Sequence, residues 1–323
     1  MLVSIIIPCK NGAAWLGDAI ESCLDQTWRD IEIIIVDNGS TDASLAVARS
    51  FQSASVAVLE CDRKGASAAR NRGIEQARGD FIQFLDADDL LDPDKIRVQV
   101  ERLSALPAGV VASGAWARFS QGTDEALFAA EPVWRDLSGE DFLISSWSGG
   151  GMMPNFAWLV PRSILARAGG WNERLSLNDD GEFFCRVALS ATGIVFCDGA
   201  RGYYRTSGAS TLSRRRDSEA FASAFAAIEL SCTALLERGG SALATRACAM
   251  QYQRFAYDAY PAVPELVAVA ERRAAELGGS DLRPQGGPVF TAAARCLGWR
   301  AAQRCRSAWW RVSGRAAIAP DRP

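Results

Sequence analysis

Phe81-Ile82-Gln83-Phe84-Leu85-Asp86-Ala87-Asp88-Asp89 is an apolar run of strand length that stops on three carboxylates in four positions. So much negative charge at one point is costly unless a cation or hydrogen-bond donors compensate it. An all-oxygen ligand set suits Mg²⁺ or Mn²⁺, which bridge carboxylates to substrate phosphates. Taken alone, the cluster reads equally well as a solvated loop in which Asp88 or Asp92 caps a helix starting near Pro93.

Upstream, three more runs have the same apolar, strand-like character: residues 3–7, ended by Pro8, then 31–36 and 56–59. Between them lie helical patterns. The first runs to about Gln26, with Trp15, Leu16, Ile20, Cys23 and Leu24 on one face; the others span Asp42 to Phe51 and Ala66 to Ala77. Near-continuous apolar strands alternating with helices predict an α/β fold, a mostly parallel sheet flanked by helices. In such sheets ligands gather at the carboxyl ends of the strands, so Pro8, Asp37, Asp62 and Asp86 are expected on one rim. Beyond residue 212 the character changes. Residues 217–238, 241–260, 264–277 and 290–312 read as Ala- and Arg-rich helices, which divides the chain into a sheet domain over 1–212 and a helical region over 213–323.

The 323 residues are 49% hydrophobic and 23% charged, with a net charge of −3 and no histidine. Residues 211–323 carry 16 arginines against 10 carboxylates, a balance of +6 that leaves −9 for the first 210 residues. An acidic sheet domain argues against nucleic acid as a partner. Without histidine, acid–base chemistry falls to carboxylates. The nine cysteines are scattered, with no C-x-x-C pair, as expected of reduced thiols in a cytoplasmic protein. No basic segment precedes an apolar one at the N-terminus, and no apolar run reads as long and clean enough to span a bilayer.

Several further segments follow in order: Ser4 to Gly12, Gln26-Thr27-Trp28, Ile34 to Asp42, Ala69-Arg70-Asn71-Arg72-Gly73, Leu85 to Asp89, Gly169 to Glu173 and Asp179 to Phe183. Together, over residues 3–212, they resemble the family 2 glycosyltransferases of the GT-A fold. The resemblance implies an inverting, metal-dependent transfer from a nucleoside-diphosphate sugar, a UDP-sugar foremost, to a hydroxyl of a glycan or lipid-linked acceptor, with Mn²⁺ or Mg²⁺ as cofactor. It implies donor-binding roles for Pro8, Asn11, Asp37, Arg70 and Asp86, with Asp37 accepting from the nucleobase and Asp86 beside ribose and metal. Asp88 is implied as the direct metal ligand, Asp180 as the catalytic base and Asp179 as its acidic neighbour. Each has a plainer use as well: Asp37 capping a turn, Arg70 as a helix charge, Asp179 and Asp180 at a helix N-terminus. Two departures stand out. Ser207 occupies the place near Tyr204-Arg205 where the family often has histidine, leaving Arg205 or the Arg214–Arg216 run to neutralise phosphate. Asp37 is followed by Asn38 instead of a second aspartate.

Trp158 and Trp171 fall in the acceptor half, where an indole stacks on a sugar ring or fills the core. In the tail, Arg300, Arg304, Arg311 and Arg315 share a helical face away from Trp299, Trp309 and Trp310. That pattern suits either peripheral contact with an anionic membrane, at its cytoplasmic side, or a helix packed on its own domain. The competing classes are a nucleotidyltransferase, disfavoured by the lack of a Gly-rich basic loop after the first strand, and a dehydrogenase, which lacks G-x-G-x-x-G. A third is a catalytically silent nucleotide-sugar-binding or scaffolding protein on the same fold.

Overall fold

Uninterrupted β-branched runs suit strands buried on both faces, and these runs form the centre of the protein. In the computed structural model, β1 is Val3–Cys9, β2 Ile31–Asp37, β3 Val56–Glu60 and β4 Phe81–Phe84, connected through helices α1 (Leu16–Leu24), α2 (Ser44–Ser50) and α3 (Ala66–Gln76). The structure describes residues 1–206 and 215–313, with side chains through residue 309. There follow β5 (Leu90–Leu91), α4 (Lys95–Ser104), β6 (Val110–Phe119), α5 (Gly139–Trp147), β7 (Val160–Pro161), α6 (Arg162–Ala168), α7 (Asp179–Ser190) and β8 (Gly193–Arg205). One sheet runs β3-β2-β1-β4-β7, parallel except for β7, and a second runs β5-β8-β6.

The register fixes the rim. Ile6 lies opposite Ile34 on one side and Phe84 on the other, while Cys9 faces Asp37. The end of β1 therefore sits between the loop after β2 and the loop after β4. Pro8 does not end β1 as expected but lies within it, opposite Val36. The missing N–H is tolerated because β4 pairing has already stopped at Phe84. Leu24, expected on the buried face of α1, is exposed instead.

One buried group was not foreseen. Lys95 lies wholly inside the protein, its ammonium donating to Gln83 and, at 2.7 Å, to Gln99 Oε1, with the Trp158 carbonyl at 3.4 Å. Burial pushes its pKa well below the usual lysine range. Gln83 and Gln99 in turn donate to the Phe156 and Ala157 carbonyls, each at 2.9 Å. This polar knot ties β4, directly ahead of the acidic loop, to α4 and the segment before β7.

The chain divides into two compact units, Met1–Ala209 and Ser210–Pro323. The second holds α8 (Ser218–Leu236), α9 (Ala242–Ala259), α10 (Pro264–Glu276), α11 (Pro288–Leu297) and α12 (Trp299–Ser313). Asp217 and Ser241 cap α8 and α9 by accepting from Ala220 and Ala244 backbone N–H groups. The single helix expected over 290–312 is two, because Gly298 takes φ +80°, a left-handed conformation that breaks the helix. α8 corrects the expectation about membrane spans: by length and composition it is apolar enough to cross one. It also carries Glu219 and Glu229, and half of that window is buried in the protein.

Candidate active site

Arg70, on α3, is the centre of the rim. The residue is 5% exposed and its guanidinium forks between two carboxylates, Nη2 to Asp86 Oδ1 at 2.8 Å and Nη1 to Asp179 Oδ2 at 3.1 Å. The same guanidinium lies 4.3 Å from the Trp171 ring centroid. Asp179 also accepts from the Ser67 hydroxyl at 2.7 Å. One arginine thus joins the loop after β4 to the first turn of α7, segments more than ninety residues apart in sequence. An aromatic stack holds them underneath: Trp171 lies flat on Phe183 at 4.1 Å, and Phe84 meets both rings edge-on at 5.2 and 5.6 Å. Asn71 clamps the preceding loop, donating to the Trp171 carbonyl at 2.9 Å and accepting from its N–H at 2.8 Å.

Asp180 stands beside this bridge, and the adjacent Gly181 N–H donates to it at 2.8 Å. The surrounding protein and then the negative charge of Asp179 push its carboxyl up to about 6, while the residue itself remains open to water. Its position in the first turn of α7 partly offsets that rise through the helix dipole.

The acidic loop is organised by Arg205 at the end of β8. The Arg205 N–H donates to Asp89 Oδ1 at 2.9 Å, Nε to the Asp88 carbonyl at 2.7 Å, and Nη2 to Asp18 Oδ2 at 3.1 Å. The guanidinium is sandwiched between Trp15 and Phe119, at 4.4 and 4.5 Å. Arg205 thus anchors the acidic loop, with its side chain 4% exposed. Asp89 is buried and Asp88 half-buried. Burial and then the charge of Asp86 push Asp88 up to about 6, and burial drives Asp89 well upward. No group of three or more Cys, Asp or Glu side chains among the described residues is arranged to hold an ion unaided. With Asp86 Oδ1 paired to Arg70 and Asp89 to the Arg205 N–H, the loop offers at most a partial set of carboxylate oxygens. It fits Mg²⁺ or Mn²⁺ completed by substrate phosphate, the usual habit of those ions, and not a cage built of protein alone.

On the far side of β1, Asp37 is 4% exposed. Its Oδ2 accepts from Gly39 and Ser40 N–H groups at 3.2 and 3.1 Å, which is the turn-capping use. Its Oδ1 is buried without a partner, and a buried carboxylate oxygen left so is costly until something donates to it. Asn38 is more than a lost aspartate. Its amide donates to the Cys61 and Arg63 carbonyls at 3.0 and 2.6 Å and accepts from Gly65 N–H at 2.9 Å, a set of bonds a carboxylate cannot make. Asn11, at φ +53°, accepts from Thr41 N–H at 2.8 Å and so joins the loops after β1 and β2. Lys10 and Asp62 are exposed.

Trp158 and Trp171 are core residues. Trp158, 1% exposed, stacks on Phe184, and Trp171 has Phe183 on one face and Arg70 against the ring. Neither has an open face for a sugar, which corrects the expectation of acceptor stacking. Ser67 and Asp18 carry no signal in the sequence; Asn71 has one in its place inside the Arg70 segment, and Asp89 belongs to the acidic cluster without a role of its own. Ser207, Arg214, Arg315 and the side chains of Trp310 and Arg311 lie outside the described residues.

A parallel β3-β2-β1-β4 sheet with an acidic loop beyond β4 and a carboxylate-bearing helix facing it defines a GT-A type α/β protein. S. aureus TarS, residues 1–349, in complex with UDP-GlcNAc, superposes with a TM-score of 0.70 at 15% identity, over 96% of this chain and 92% of that one. The mannosyltransferase PcManGT of Pyrobaculum calidifontis, in complex with GDP-Man and Mn²⁺, gives 0.57 at 17% identity over 97% and 87%. At such identities the likeness is one of fold. The sequence model of Glycosyl transferase family 2 matches residues 4–166, and the chain belongs to that family. An uncharacterized glycosyltransferase of Haemophilus influenzae is 40% identical over 102 residues, 31% of this chain and 41% of that protein, so the match spans well under half of that relative.

Proposed function

We propose that the chain is an inverting glycosyltransferase that moves a sugar from a nucleoside diphosphate, UDP before GDP, to an acceptor hydroxyl of a glycan or lipid-linked saccharide. The observation that carries the reading is the Arg70 bridge, which sets the acidic loop against the exposed carboxylate of Asp180. The unpartnered Asp37 Oδ1 is suited to accept a nucleobase ring N–H. Pro8 and Asn11 shape the rim between Asp37 and Asp86, and Asp86 stands towards the ribose. Asp88, with Asp86, would hold Mn²⁺ or Mg²⁺ together with the diphosphate. The bound ion supplies positive charge that stabilises the departing diphosphate. Asp180 takes the proton of the acceptor hydroxyl as its oxygen bonds to C1. The C1–O bond to phosphate breaks on the opposite face, the diphosphate leaves with the electron pair, and the anomeric configuration inverts. Seven of the nine cysteines are buried in the fold, and a cytoplasmic setting is part of this reading.

Isothermal titration with UDP and GDP, with and without Mn²⁺, tests the donor and the metal role together. Parent protein is expected to bind UDP at least tenfold more tightly with Mn²⁺, and Asp88→Asn to lose that enhancement while keeping metal-free binding. Equal affinity with and without the ion removes Asp88 from the role. Binding without turnover across a panel of sugar nucleotides and acceptors would instead favour a silent binding protein.

A further inference from the structure

The face expected to meet a membrane was the arginine face of the tail helix. In the structure Arg300 and Arg304 stay exposed, but both lie against side chains of their own unit. Arg300 Nη2 pairs with Glu271 at 2.5 Å, and the Arg300 and Arg304 guanidinium groups lie 5.9 and 5.6 Å from the Tyr260 ring. Trp299 packs edge-on against Tyr257 and Tyr260 at 4.8 and 5.3 Å. α12 is thereby bound to its own unit.

The more apolar exposed face belongs to α11. Its buried anchor is Phe290, held under Arg306 at 4.1 Å. On another face Val289, Ala292, Ala293, Cys296 and Leu297 recur at the spacing of one helical stripe. Val289 is 85% exposed and Leu297 67%, an unusual cost for two aliphatic side chains in water, and Trp309 on α12 is 53% exposed. Arg295 flanks the stripe and is itself exposed, as is Arg283 just ahead of the helix. From Leu282 to Pro320 the sequence has seven arginines and no aspartate or glutamate.

We propose that this α11 face is a docking surface for an anionic lipid bilayer, with Val289 and Leu297 entering the headgroup–acyl boundary and Arg283 and Arg295 meeting lipid phosphate. An apolar stripe flanked by arginine and free of carboxylates is the charge complement of such a surface. A second copy of the chain fits it poorly. A two-fold contact would bring two carboxylate-free, arginine-rich segments together. One ten-residue helix also offers far less than the ~800 Å² per partner of a stable interface.

The test uses the full chain and sedimentation with vesicles of phosphatidylcholine alone or with about one-third phosphatidylglycerol. Binding is expected only to the anionic vesicles, falling as salt rises, because screening shortens the reach of the arginines. Val289→Asp with Leu297→Asp should cut the bound fraction at least tenfold. Arg283→Gln and Arg295→Gln should each cost about fivefold. Circular dichroism and UDP titration on the same variants separate a lost surface from a lost fold or a lost donor site, so this result stands apart from the transferase reading. No binding, binding to neutral vesicles as strong as to anionic ones, or binding indifferent to the aspartate pair would overturn the proposal. So would a concentration-dependent dimer in sedimentation velocity that the aspartate pair abolishes, since the face would then belong to a second copy.

Discussion

Asp180→Asn is expected to lower kcat for sugar transfer by about 10²–10⁴-fold, the usual contribution of a positioned base, while the affinity for UDP in the presence of Mn²⁺ stays within about twofold of the parent. The split between turnover and binding follows from geometry. Asp180 makes one bond to its own helix and none to the Asp86–Arg70–Asp179 bridge, so its loss leaves the bridge intact. A pH profile gives a second readout. With the carboxyl pushed up to about 6, the base is protonated and idle in acid, so the rate should rise with pH through a midpoint at about 6 and level off roughly one unit higher. Asp180→Glu should recover part of the activity. Transfer by Asp180→Asn within tenfold of the parent would show that the proton goes elsewhere.

Arg70→Gln is the second large effect, and it falls on stability and donor binding together. Removing a buried guanidinium strands Asp86 and Asp179 near each other without a counter-charge, which costs about 3 kcal/mol or more. For a unit of some two hundred residues that is a fall in Tm of about 6–12 °C. Arg70→Lys should rescue little, because one ammonium cannot reproduce a fork that spans two carboxylates. Thermal melts of both variants, with and without UDP and Mn²⁺, check this. A Tm for Arg70→Gln within about 2 °C of the parent would mean the bridge does not hold the rim together.

Much of the fold was legible because a parallel sheet buried on both faces leaves a plain trace, the runs Ile5-Ile6-Ile7 and Ile33-Ile34-Ile35-Val36. Their strand ends placed Asp37 and Asp86 at one rim without coordinates. The arginine tail was harder. Helical periodicity identifies a face but not what packs beside it: Arg300 meets Glu271 and the Tyr260 ring, which no spacing within the tail announces.

The three carboxylates of Asp86-Ala87-Asp88-Asp89 look alike in sequence, and the tertiary structure makes them different. Asp86 is taken up by Arg70, Asp89 is buried beneath the Arg205 N–H, and Asp88 is left half-buried with its charge undercompensated. The same holds for Trp158, Trp171 and Arg205, whose residue types permit binding but whose neighbours occupy them. By itself the sequence determined which segments are strands and which residues lie at their ends, because those follow from local periodicity. Which carboxylate is paired, which is buried and which remains for a ligand was decided only in the tertiary structure. Those states depend on Arg70, Arg205, Ser67 and Asp18, brought from distant segments to within hydrogen-bond distance.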